Sequence, residues 1–98
     1  LKSVIRTFSV RETGVELNDK FDFDDGEPHN IQECFISLIE PEECDGYIKI
    51  ERLKMSGMKN YRIMSFQEKD HYTGELFSIW IIECNVLNNK FSLKFELM

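Results

Sequence analysis

Histidine, proline and close cysteine pairs are scarce in this chain, and each scarcity removes a class of function. Its 98 residues hold two histidines, His29 and His71. The usual routes to nucleophilic catalysis need a base beside a Ser, Cys or Thr. Both histidines lie in turn sequences, and no Gly-x-Ser-x-Gly or Cys-Gly-x-Cys context surrounds a nucleophile, so no catalytic residue is expected. The three cysteines, Cys34, Cys44 and Cys84, are odd in number and widely spaced. They read as reduced thiols in a cytoplasm rather than a disulfide framework, and they lack the spacing of a structural zinc site. Five glycines are scattered singly among turns, which excludes a Gly-rich phosphate cradle. No apolar run of about 18 residues exists, so nothing spans a membrane as a helix. Leu1 to Val10 lacks the continuous apolar stretch of a signal peptide. Leu1 itself stands where Met is expected, and is read either as a TTG start of the kind bacterial and phage genes use or as the end of a trimmed chain.

Metal and carbohydrate chemistry fare no better. Asp22-Phe23-Asp24-Asp25-Gly26-Glu27 has a superficial calcium-loop look. Setting Gly26 at the sixth position of an EF-hand puts Phe21 and Phe23 at its first and third ligand positions, and neither coordinates. Glycosidases need only two carboxylates, and among 18 acids some pair always stands at a plausible spacing. No cofactor and no metal are expected.

What is present is a core and a pattern of strands. A 42% hydrophobic share, 12% aromatic, with eight Phe, suffices for one folded domain. Residues 3 to 11 alternate, with Val4, Phe8 and Val10 on one parity. Thr13-Gly14 turns the chain. Val15 to Leu17 and Phe21 to Asp24 read as two short strands separated by Asn18-Asp19, and Asp25-Gly26 closes the second. Residues 30 to 40 fit either a short helix capped by Asn30 or a buried strand, and the strand is preferred. Pro41 to Gly46 would then connect it as a hairpin to an alternating strand from Tyr47 to Leu53. Tyr61 to Phe66 is a strand, and Asp70 to Gly74 is a turn. Leu76 to Ile82 is apolar on both parities, the mark of a central strand covered on both sides. Asn88-Asn89 is a two-residue hairpin turn. Phe91 to Leu97 then alternates cleanly. Seven or eight short strands predict a mostly β domain, an antiparallel sandwich or half-open barrel.

Charge is the most informative feature. Residues 12 to 45 hold twelve carboxylates against one base, Lys20, for a net −11, while the whole chain is −6. The other 64 residues therefore sum to +5. A segregated charge speaks to partners rather than to fold. The acidic balance argues against direct nucleic-acid binding and against a membrane surface. One basic stretch, Lys49, Arg52, Lys54, Lys59 and Arg62, interleaved with Tyr47 and Tyr61, reads as a solvated strand face. Acids on turns from Asp22 to Asp45 would project carboxylates from one end of the domain toward a basic protein partner. Asp22, Asp24, Asp25, Glu27, Glu40, Glu42, Glu43 and Asp45 are the expected contact residues, with Phe23 and Tyr47 as aromatic anchors. The expected function is that of a cytoplasmic immunity protein, an antitoxin occluding a nuclease-type toxin. The alternatives are a phage-type DNA mimic that blocks a restriction or CRISPR effector, and a non-catalytic structural or accessory β-domain. The last would pair through an exposed Phe91 to Leu97 edge. The expected assembly is a monomer or weak homodimer.

Overall fold

Among the described residues, nine antiparallel strands form two sheets that pack face to face as a small β-sandwich. The computed structural model describes residues 2–98, so Leu1, which reads either as a translation start or as the end of a trimmed chain, lies outside them. β1 (Ser3–Arg11), β2 (Gly14–Asp22), β4 (Glu42–Cys44), β5 (Tyr47–Ile50), β6 (Leu53–Ser56) and β9 (Lys90–Leu97) make a six-stranded sheet in the order β1-β2-β9-β6-β5-β4. β3 (Ile31–Ser37), β8 (Leu76–Val86) and β7 (Tyr61–Lys69) make a three-stranded sheet in that order. No helix occurs among the described residues, so none is long and apolar enough to cross a membrane.

The core follows from strand alternation. Leu17, Phe91, Leu93, Met55 and Ile48 point inward from the large sheet, and Ile82, Cys84 and Val86 from the small one. Phe35 of β3 bridges the layers, its ring 5.9 Å from Phe95 edge-on and 6.3 Å from Phe91. Such aromatic pairs add specific geometry to the area they bury.

Several sequence expectations are corrected. The two short strands around Asn18-Asp19 are one strand, β2. Both residues find cross-strand partners that override their turn preference: Ser92 Oγ donates to Asn18 Oδ1 at 2.6 Å, and Arg6 grips Asp19. Within residues 30 to 40 the preferred strand reading holds over Ile31–Ser37, which pairs antiparallel with β8, while residues 38 to 40 lie past its end. β3 is not hairpinned to the Tyr47 strand, since the two lie in different sheets. The Pro41 to Gly46 segment instead supplies β4, and Gly46 at φ 83° turns it into β5. The alternation from Tyr47 to Leu53 breaks at Glu51, whose φ of 52° folds β5 onto β6 without the usual turn residues.

Two strand positions also differ. β9 is interior, between β2 and β6, and cannot be an edge. The long unpaired edge is β1, where Val4, Phe8 and Val10 stand exposed because the small sheet does not reach over them. β8 is central as expected, but only one of its faces is covered. Asn88 and Asn89 do form the β8–β9 turn, with φ of 53° and 58°.

Candidate partner-binding surface

β3 separates the acidic residues into two groups. Asp22 ends β2, and Asp24, Asp25 and Glu27 follow in the loop before β3. Glu40, Glu42, Glu43 and Asp45 follow after it, on and around the edge strand β4. β2 and β4 are four strand spacings apart in the large sheet, about 19 Å. The carboxylates therefore do not project from one end of the domain.

The first group is held by a small scaffold. Gly26, at φ 68°, closes a turn in which its N–H donates to the Phe23 carbonyl at 3.0 Å. Asp25 Oδ1 accepts from the Glu27 N–H at 3.0 Å. His29 Nε2 lies 3.0 Å from both Asp25 oxygens, and the hydrogen bond holds the Asp25 carboxyl below its ordinary range. The His29 ring stacks on Phe23 at 3.7 Å. Asn89, from the β8–β9 turn, clamps the loop from outside: its Nδ2 donates to the Glu27 carbonyl and its Oδ1 accepts from the His29 N–H, each at 2.9 Å. Asp22 accepts from Ser3 Oγ at 3.3 Å. Asp24 and Glu27 stand exposed with no ionic partner among the described residues.

In the second group, Glu40, Glu42, Glu43 and Asp45 are all exposed. Glu42 lies opposite Lys49 across the β4–β5 ladder. Tyr47, half-buried, carries Lys54 Nζ over its ring at 4.9 Å. Its phenol is held above the ordinary range, chiefly by hydrogen bonding to Cys44.

The basic residues do not gather into a stacking face. Lys49 and Lys54 share the outer face of the large sheet with Arg11, Lys20, Lys90 and Lys94, against four carboxylates, Glu16, Asp22, Glu42 and Glu96. Arg62 lies on the opposite side of the sandwich, bound to Glu83 at 3.0 Å, and Tyr61 points into the core. The fold thus puts net positive charge on a sheet face and negative charge on loops.

Sequence reasoning missed one cluster, at the gap between the layers. The Asp19 side chain is fully buried, and Arg6 binds it through two bonds, Nε to Oδ1 at 2.8 Å and Nη2 to Oδ2 at 2.7 Å. The same Nη2 reaches Glu33 Oε1 of the other sheet at 2.8 Å. Arg6 holds the Asp19 carboxyl below its usual value. Burial, then the adjacent Asp19 carboxylate, push Glu33 up to about 7, and its Oε2 is buried without a partner. Glu33 lies opposite Cys84, whose thiol burial raises to about 11. Cys34, the next residue, points to the outer face, so the two thiols stand on opposite sides of one sheet. An inward parity for Asp19 and Glu33 was the available signal, masked by the dense acidity around them. Among the described residues, no group of three metal-ligating side chains comes together.

No protein-family model, curated protein or solved structure matches this chain. The class that fold and surface define is an all-β sandwich of two antiparallel sheets with acidic loops.

Proposed function

We propose that this chain is a non-catalytic binding protein that neutralises a basic partner in the cytoplasm, as an immunity protein occluding a nuclease-type toxin does. One observation carries the reading. The four arginine ion pairs go to strand carboxylates, Asp19, Glu33, Glu16 and Glu83. Of the eight acids expected as contacts, five in loops and three at the end of β2 or on the edge strand β4, only Asp25 has an ionic partner among the described residues, His29. Internal salt bridges therefore leave the loop charge free to steer a cationic surface, with strong salt dependence. Nucleases grip phosphate with cations and present such a surface. Occlusion is steric and electrostatic, with no chemistry, and Phe23 and Tyr47 supply aromatic contact beside the two acidic groups. A DNA mimic needs one continuous acidic face, and a basic sheet face between the two groups weighs against it.

The test has two stages. Capture from host lysate at low salt, with elution by salt, identifies a basic partner. Its association rate is then measured against a chain carrying Glu40→Ser, Glu42→Ser, Glu43→Ser and Asp45→Ser. Slower association with a flatter salt dependence is expected. An unchanged rate and slope would remove the β4 group from the reading, and the same result for Asp24→Ser with Glu27→Ser would end it.

A further inference from the structure

The chain leaves one of its two sheets half covered. Phe77, Ile79 and Ile81 of β8 face away from the core, opposite in parity to the buried Ile82, Cys84 and Val86. Ile36 flanks them on β3, Leu38 lies just past its end, and Met64 and Phe66 flank them on β7. Ile36 is 72% exposed, Leu38 68%, Phe66 51% and Phe77 41%. An antiparallel sheet facing water on one side ordinarily carries polar residues there. A strand apolar on both parities needs a cover on both sides, and no element among the described residues supplies the second one. Contiguous apolar surface of this kind marks a binding face.

We propose that a second copy of this chain covers it, the two three-stranded sheets packing outer face to outer face about a two-fold axis that crosses the strands. The sequence order along β7 makes the face self-complementary. Its outward residues run Arg62, Met64, Phe66, Glu68. Laid antiparallel on its twin, Arg62 meets the second copy's Glu68, and Met64 meets the second copy's Phe66. Ser65 and Trp80 pair in the β7–β8 ladder, and Trp80 and Ser37 in the β8–β3 ladder, so the same axis passes through one row. It therefore sets Ile79 over the second copy's Ile81, Ile36 over the second copy's Leu38, and Phe77 beside the second copy's Glu83, which Arg62 of that same copy neutralises. Every contact is made twice, as an isologous interface requires. Twisted sheets pack at about 30°, which such long side chains accommodate.

The size fits as well. The exposed parts of Ile36, Leu38, Phe66 and Phe77 amount to a little over two whole apolar side chains, about 400 Å² on each copy. Doubled by symmetry, and with Met64, Ile79, Ile81 and the charged rim added, the contact reaches about 1,000 Å², the lower bound of a specific interface. The interface lies on the small sheet, away from β4 and the 22–27 loop, so it does not depend on the partner reading above.

Sedimentation velocity and light scattering on the full chain across micromolar concentrations should show a species of twice the 11.6 kDa chain mass. Phe66→Lys and Ile79→Lys should give monomers with unchanged far-UV circular dichroism. Arg62→Glu and Glu68→Arg should each weaken self-association about tenfold through two symmetric pairs. Mixing those two variants should restore it, because each copy then presents the charge the other lacks. These charge variants keep the test decisive if the Lys variants fold poorly. A monomer at every concentration overturns the proposal. So does a dimer untouched by Phe66→Lys and Glu68→Arg, which would place association at the β1 edge, or a mixture that stays weak.

Discussion

Glu33 couples the stability of this sandwich to pH, and the sign is opposite to that of most acidic groups. In the folded chain burial, and then the Asp19 carboxylate beside it, raise the Glu33 proton affinity from the ordinary 4.5 to about 7. The folded state therefore binds more protons than the unfolded state between these values. Stability is full below pH 4.5 as far as this group is concerned, and falls as pH rises to about 7. Asp19 is shifted the other way, but it titrates below its ordinary 3.8 and so outside this window. At about 1.4 kcal/mol per tenfold change in proton affinity, the loss is about 3 kcal/mol across the window. Glu33→Gln removes the titration while keeping a carbonyl for Arg6 and an N–H donor for Asp19. Urea unfolding, followed by fluorescence of the single Trp80, measures both chains from pH 5 to pH 8. The wild-type midpoint should drop with rising pH. The Glu33→Gln chain, with no proton to lose at this position, should give a flat profile. At pH 8 the variant should be the more stable chain. A variant that keeps the wild-type slope, or is the weaker chain at pH 8, refutes the assignment of a buried carboxyl whose proton affinity folding raises.

Other perturbations have equally definite outcomes. Arg6→Ala leaves the fully buried Asp19 carboxylate uncompensated and should cost about 3 kcal/mol in the same urea assay. Gly14→Ala should cost about 2 kcal/mol, because a Cβ there overlaps the Phe95 carbonyl oxygen and pushes β2 off β9. Asn89→Gly keeps a turn that tolerates positive φ but removes both clamps on the 23–29 loop. Amide hydrogen exchange in that loop should accelerate, while the global unfolding midpoint moves little.

The parts of the fold that were readable are those where one local rule acted alone. Alternation in 3 to 11, 61 to 66 and 91 to 97 marks β1, β7 and β9, and Asn88-Asn89 marks the most regular turn. Misreadings arose where tertiary partners overrode local preference. Asn18 and Asp19 carry turn chemistry, yet Ser92 and Arg6 hold them inside a strand. Glu51 carries none, yet it adopts the positive φ that lets Ile50 lie opposite Leu53. Strand order was not readable at all. Nothing in the alternation of β9 distinguishes an edge from a strand between β2 and β6, because both expose one face and bury the other. The doubly apolar β8 was legible as central, but the pattern cannot say whether the second cover belongs to the same chain.

The acidic window shows why linear charge density and surface charge density are separate quantities. A strand rises about 3.3 Å per residue, so the seven residues of β3 set roughly 20 Å between the loops at its ends. Of twelve carboxylates close in sequence, six thus stand on strands, namely Glu16, Asp19, Asp22, Glu33, Glu42 and Glu43, and six in turns and loops. The strand members are not equivalent to the loop members either. Asp19 and Glu33 face inward and meet one cation, Arg6, which makes them part of the joint between the sheets. Glu16 faces outward and is tied to Arg11. Strand placement brings these acids to arginines on the adjacent strand or the facing sheet, whereas Asp24, Glu27, Glu40 and Asp45 lie in loops, and Glu42 and Glu43 on the edge strand β4 have no arginine opposite them. An interaction surface built from charge is therefore found by asking which carboxylates the fold leaves unpaired, and within the acidic window, among the described residues, these include Asp24, Glu27, Glu40, Glu42, Glu43 and Asp45.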